Sequence, residues 1–132
     1  FACGGGIYTS AVEAAEKNNG KVIGVDVDQS YISDLIITSA MKGLQNVTES
    51  LLESLNKGEW ETYGGKVSNF GLLEGEYVGL PTETWSLTKF TVEEYEALLA
   101  SIKDGTVAIS NDALTEGEVV NAGLENVTII YE

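Results

Sequence analysis

Of the seven positive charges in this 132-residue chain, all are lysines; it has no arginine and no histidine. Without imidazole there is no Ser-His-Asp or Cys-His nucleophile pair of the usual kind, and no histidine zinc site. Without guanidinium there is no planar fork for two-point capture of phosphate or carboxylate. One cysteine, Cys3, excludes an internal disulfide and argues against a metal cluster; it reads as a small buried residue. Cations are scarce against 21 acidic residues, for a net charge of −14. Such a surface does not neutralise nucleic-acid phosphates and is repelled by anionic lipid. No apolar run approaches the ~18 residues of a membrane span.

What the chain does have is an ordinary globular composition, 43% apolar with a mean hydropathy of +0.02. That supplies a core, and the length fits one compact domain. Its beginning reads as the tail of a buried strand, Phe1-Ala2-Cys3, whose start lies upstream. Ala2-Cys3-Gly4 echoes a lipoprotein cleavage site, but without a hydrophobic stretch before it we read the echo as chance.

After that stub, Gly4-Gly5-Gly6 turns the chain into a helix carrying Ala11, Val12, Ala14 and Ala15 and ended by Asn18-Asn19-Gly20. Lys21 to Val25 reads as a short buried strand, so the opening is a strand, glycine turn, helix and strand. Leu35 to Thr38 reads as a further strand. A helix is expected from Met41, with Leu44, Val47, Leu51, Leu52 and Leu55 on one face and a stop at Lys57-Gly58. This alternation favours an α/β fold with a mostly parallel sheet covered by helices. Beyond Gly58, Lys66 to Leu73 and Glu76 to Leu80 read as short strands. Thr91-Val92-Glu93-Glu94 is a capping box that opens a helix with Val92, Tyr95, Leu98, Leu99 and Ile102 on its apolar face. Thr106 to Ser110 and Val127 to Tyr131 complete the expected strands.

The main candidate site is Gly4-Gly5-Gly6 together with Asp26, at the end of the next strand. Glycines admit a ligand close to the backbone, and the helix start beyond them offers unpaired N–H donors. An acid at the strand tip can accept two hydrogen bonds from a ribose diol. Those are the physics of a dinucleotide fingerprint, yet Thr9 stands where a third glycine or alanine belongs. A tight turn with no ligand is the plain alternative.

Asp28 adds a carboxylate two residues on, for acid/base work or merely as a solvated loop acid. Lys42, expected at the start of the long helix where the dipole opposes it, calls for a partner, and Asp26 or Asp28 is the natural one. Otherwise it is a surface lysine. In an open sheet all of these meet at the carboxyl ends of the strands. Trp60, Tyr63, Trp85 and Phe90 offer stacking surfaces or core, with no spacing that singles one out. Asn46 and Asn126 match glycosylation acceptors, but lie in a predicted helix and beside a predicted strand.

The runs Phe1-Ala2-Cys3-Gly4-Gly5-Gly6, Val22-Ile23-Gly24-Val25-Asp26-Val27-Asp28-Gln29-Ser30-Tyr31 and Ile37-Thr38-Ser39-Ala40-Met41-Lys42 together resemble the BMP (basic membrane protein, PnrA-like) family. The likeness is firm to about residue 80 and looser beyond. It implies a substrate-binding lipoprotein of a bacterial ABC importer, extracytoplasmic and membrane-anchored, without enzymatic activity, cofactor or metal. It also implies a class I periplasmic-binding-protein-like lobe of three layers with a mostly parallel sheet, truncated at its N-terminus. On that reading residues 1–70 are part of the C-terminal ligand-binding lobe and 71–132 a crossover and return segment toward a missing N-terminal lobe. The implied partners are a purine nucleoside, an ABC permease and that other lobe, with self-association open to a fragment. Gly5 and Gly6 would meet the ligand through their backbone, while Asp26 and Lys42 would hold the ribose hydroxyls. The family usually shows a Gly-Gly-Thr-Gly type of turn where this chain has Gly4-Gly5-Gly6-Ile7-Tyr8-Thr9, and residues 105–132 look longer than the family terminus. The rival readings are a NAD-binding Rossmann-like enzyme domain and an interaction lobe with a vestigial site.

Overall fold

A computed structural model describes residues 1–109. A 3-10 turn over Gly5–Ile7 leads directly into α1 (Tyr8–Asn18), which ends where Asn19 takes the left-handed conformation at φ 52°. Asparagine tolerates that conformation, and Gly20 N–H then donates to the Ala15 carbonyl, closing the helix. Next come β1 (Val22–Asp26), β2 (Ile36–Lys42), α2 (Leu44–Asn56), β3 (Val78–Gly79) and α3 (Val92–Lys103). β1 and β2 are parallel, with Gly24 beside Ser39 and Asp26 beside Met41, and β3 adds to β2 in the antiparallel sense. The fold is therefore α/β with a mixed sheet. The expected buried strand over Phe1-Ala2-Cys3 does not form: Phe1 and Cys3 are exposed, and only Ala2 is buried, its N–H donating to the Ile23 carbonyl on β1.

The small core between α1 and the sheet is Ala15, Val22 and Ile36, with Ala11, Val12, Ile32 and Leu35 packed against it. The alanine-rich face of α1 lets the helix come close to β1. On α2 the expected face divides. Val47 and Leu51 are half-buried, while Leu44, Leu52 and Leu55 are exposed among the described residues. α3 opens on the expected capping box: Thr91 Oγ1 accepts from Glu94 N–H, and Glu94 Oε2 accepts from Thr91 N–H. Tyr95 is its buried anchor, and the phenol oxygen accepts from Leu80 N–H at 2.9 Å.

Several expectations are corrected. Cys3 is exposed rather than buried. β2 runs on through Met41 and Lys42, so α2 begins at Leu44 and not at Met41. Gly43 sets this boundary, since its N–H donates to the Tyr77 carbonyl and a β-carbon there would stand 2.9 Å from the Glu76 carbonyl oxygen. Residues 66–73 form no strand, and within 76–80 only Val78–Gly79 does. Phe70 instead stacks on Tyr63 and meets Tyr77 edge-on, so local aromatic packing replaces a ladder. Residues 106–109 are not a strand either; Ser110, the expected strand over 127–131 and Asn126 lie outside the described residues.

Candidate functional site

β1 and β2 run parallel and end side by side, so the last residues of both strands, Asp26 and Lys42, share the carboxyl end of the sheet. Their side chains meet: Lys42 Nζ lies 2.7 Å from Asp26 Oδ1. The expected pairing is present, but its origin differs from the expectation. Lys42 reaches Asp26 as a strand-end residue on the adjacent strand, with no helix dipole opposing it. The carboxylate's hydrogen bond and charge raise the Lys42 pKa above its ordinary value, keeping the ammonium protonated.

Asp26 is also unusual in its backbone. Its φ is 70°, and Val27 N–H donates to the Val25 carbonyl at 2.9 Å across it. An i to i+2 hydrogen bond around a positive φ is a γ-turn of the rare, strained kind. Strain of this sort persists only where neighbouring structure enforces it, and it concentrates at ligand sites. Oδ1 is shielded from solvent and no group besides the ammonium reaches it among the described residues, yet the side chain as a whole is 42% exposed. One carboxylate oxygen is thus engaged by Lys42, while part of the side chain stays open to solvent.

What enforces the turn is the run after it. Gln29 is buried, and its Oε1 accepts from Val25 N–H at 3.2 Å. Its own N–H donates to the Oγ of Ser39, which is completely buried. Asp28 is neither a free acid/base group nor a merely solvated loop acid: it does structural work. Its Oδ1 accepts from Ser30 N–H and its Oδ2 from Thr84 Oγ1, tying the loop to residues 81–90. The Ser30 backbone bond is the main cause of a pKa held below the usual carboxylate value. Ser86 Oγ adds a second tie by donating to the Ile37 carbonyl. Sequence reasoning singled out the Asp-x-Asp-Gln spelling without assigning a task to Gln29 or Ser39. The legible signal was Gly24, whose missing side chain leaves the space that Gln29 fills.

Asp26 and Lys42 border an open cavity of about 310 Å³, walled further by Gly43, Asn46, Glu76 and Val78. Asn46 Nδ2 donates to the Glu76 carbonyl and so braces one wall. Gly5 and Gly6 are not among its lining residues. They occupy the exposed 3-10 turn, with nothing within 4 Å of where a β-carbon would project, so their backbone is open to approach. None of the four candidate aromatics lines the cavity. Trp85 packs on Phe90 and Tyr95 and donates through Nε1 to the Phe90 carbonyl, while Tyr63 stacks on Phe70 and Trp60 lies against Gly64. No group of three or more potential metal ligands exists among the described residues. No described helix is long and apolar enough to cross a membrane.

An acceptor and a donor held together at the carboxyl ends of two parallel strands, over an open cavity and with no nucleophile constellation beside them among the described residues, suit binding of a polar uncharged group. A comparison with curated proteins found no match. The family model for Bmp, described as ABC transporter substrate-binding protein PnrA-like, matches residues 1–124. The chain therefore belongs to the Bmp family of PnrA-like substrate-binding proteins of ABC transporters.

Proposed function

We propose that the chain binds a purine nucleoside and grips it by the ribose, as part of an extracytoplasmic lipoprotein receptor that delivers the ligand to an ABC permease. The chain would supply one lobe of a class I periplasmic-binding-protein-like clamshell, with residues 1–70 in the C-terminal lobe and 71–132 returning toward the other. The reading rests above all on Asp26, kept at a strained positive φ with one oxygen fixed by Lys42. A carboxylate accepts from two vicinal hydroxyls, and an ammonium beside it donates to one of their oxygens. A ligand lacking a hydroxyl leaves one of these groups desolvated and unpaired, which is how such a site discriminates. Gly5 and Gly6, exposed and without side chains, would add backbone contacts.

The family is one of binding proteins rather than enzymes, and the geometry agrees with use of the acids for recognition. Asp28 is occupied by Ser30 and Thr84, so it is not poised to move a proton.

Titration calorimetry of the intact receptor with inosine, adenosine and NAD tests the proposal. The expected result is nucleoside binding that falls on the order of 10- to 150-fold in Asp26→Asn, the loss of a hydrogen bond to a charged group. Unchanged affinity in that variant, or binding of NAD in place of nucleosides, would overturn it.

A further inference from the structure

Asp26 is presented by a turn that the strand alone does not hold, and the groups that hold it are two buried polar side chains outside the cavity. Gly24 and Ser39 are ladder neighbours on β1 and β2. Gln29 folds back over Gly24, in the space where a β-carbon would stand 2.6 Å from both Gln29 Oε1 and Ser39 Oγ. From there Gln29 makes two bonds in opposite directions along the chain. Its Oε1 takes the Val25 N–H at 3.2 Å, immediately before Asp26, and its N–H gives to Ser39 Oγ at 3.0 Å, anchoring the far side of the loop to β2. The segment Val25 to Gln29 is thereby closed into a short ring around Asp26, pinned to the next strand. Gln29 is 7% exposed and Ser39 0%, so neither meets a ligand directly.

We propose that Gln29 and Ser39 are positioning residues for sugar recognition: they hold the Asp26 γ-turn and so set the preference for a ribose over a 2′-deoxyribose. This rests on the nucleoside reading above. A vicinal diol demands a carboxylate in one orientation, because both hydroxyls must donate to it at once. A single hydroxyl is satisfied by a range of orientations. Loosening the turn therefore weakens the diol ligand more than the deoxy ligand, whereas general loss of structure weakens both alike. Lys42 does not substitute for the clamp, since it is 58% exposed on a flexible stem and follows the carboxylate.

The test is calorimetry of the intact receptor with inosine and 2′-deoxyinosine, for wild type, Gln29→Met, Gln29→Glu and Ser39→Ala, each checked for its fold by circular dichroism. Gln29→Met keeps the shape and removes the acceptor; inosine affinity is expected to fall roughly tenfold, as for other coupled neighbours, with the deoxy ligand nearly unaffected. Gln29→Glu retains an acceptor for Val25 N–H and is expected to keep the wild-type preference even with a lower melting temperature. Ser39→Ala, the smallest change, carries the comparison if Gln29→Met does not fold, and is expected to lower the preference in the same sense. Equal losses for the two ligands, or no loss, in the folded variants overturn the positioning role. Failure of wild type to bind inosine would overturn the nucleoside reading itself.

Discussion

Asp26 places a β-carbon at φ 70°, and this has a measurable consequence for stability that is separate from binding. Consider Asp26→Ala and Asp26→Gly in the intact protein. Both remove the carboxylate and with it an ion pair whose partners are 58% and 42% exposed; solvent screens a pair this open, and its small contribution cancels between the two variants. Alanine keeps the β-carbon in the left-handed region, at about 1–2 kcal/mol. Glycine escapes this but brings about 0.5–1 kcal/mol of additional unfolded-chain freedom. At the midpoints of those ranges the glycine variant should therefore be the more stable by about 0.8 kcal/mol, read as a melting temperature higher by roughly 2–3 °C. At an ordinary strand end the order reverses, with alanine ahead by about 0.5–1 kcal/mol. Urea and thermal denaturation of the pair decide between them, and both variants should have lost nucleoside binding alike. An alanine variant as stable as the glycine one would refute the claim that the turn strains residue 26.

Two further outcomes follow from the same network and from the Tyr95 anchor. Asp28 has a pKa held below 3.8 in the folded protein, so its contribution is complete above that value and is lost as pH falls through the lower folded-state pKa. Asp28→Asn should accordingly flatten the acid limb of the stability curve below about pH 3.8 and leave the neutral-to-alkaline limb unchanged, as read by urea midpoints across pH. Tyr95→Phe removes the acceptor of Leu80 N–H and should lower stability by about 1–3 kcal/mol in the same assay; an unchanged midpoint would show that another acceptor serves that N–H.

Much of the fold was legible because local rules were sufficient for it. The capping box at Thr91 and Glu94, the left-handed stop at Asn19 and the helical repeat of Ala11, Val12 and Ala15 all act within a few residues of chain. The boundary at Lys42 was not legible. Met41 and Lys42 suit either a strand or a helix start, and the choice falls to Gly43, which lets the chain at Glu76 and Tyr77 approach the end of β2. That approach joins residues more than thirty apart. The exposed state of Cys3 and the absence of a strand over 66–73 likewise depend on what packs nearby, which composition does not encode.

The sequence by itself determined the chemistry available: carboxylates, lysines and backbone amides, with no imidazole or guanidinium, and it marked Asp26 and Lys42 as partners. It also carried the family, through short runs of specific spelling. Only the tertiary structure decided how the two charges meet and which groups hold them. Two parallel strands end together, Gln29 fills the space left by Gly24, and Ser39 on the next strand receives its N–H. The side chain of Gln29 folds back over Gly24 of the strand that precedes it in the chain, so a reading along the sequence meets it as one more polar loop residue. Its role appears only when β1 and β2 are laid side by side, because the γ-turn at Asp26 is strained and has to be held from outside itself.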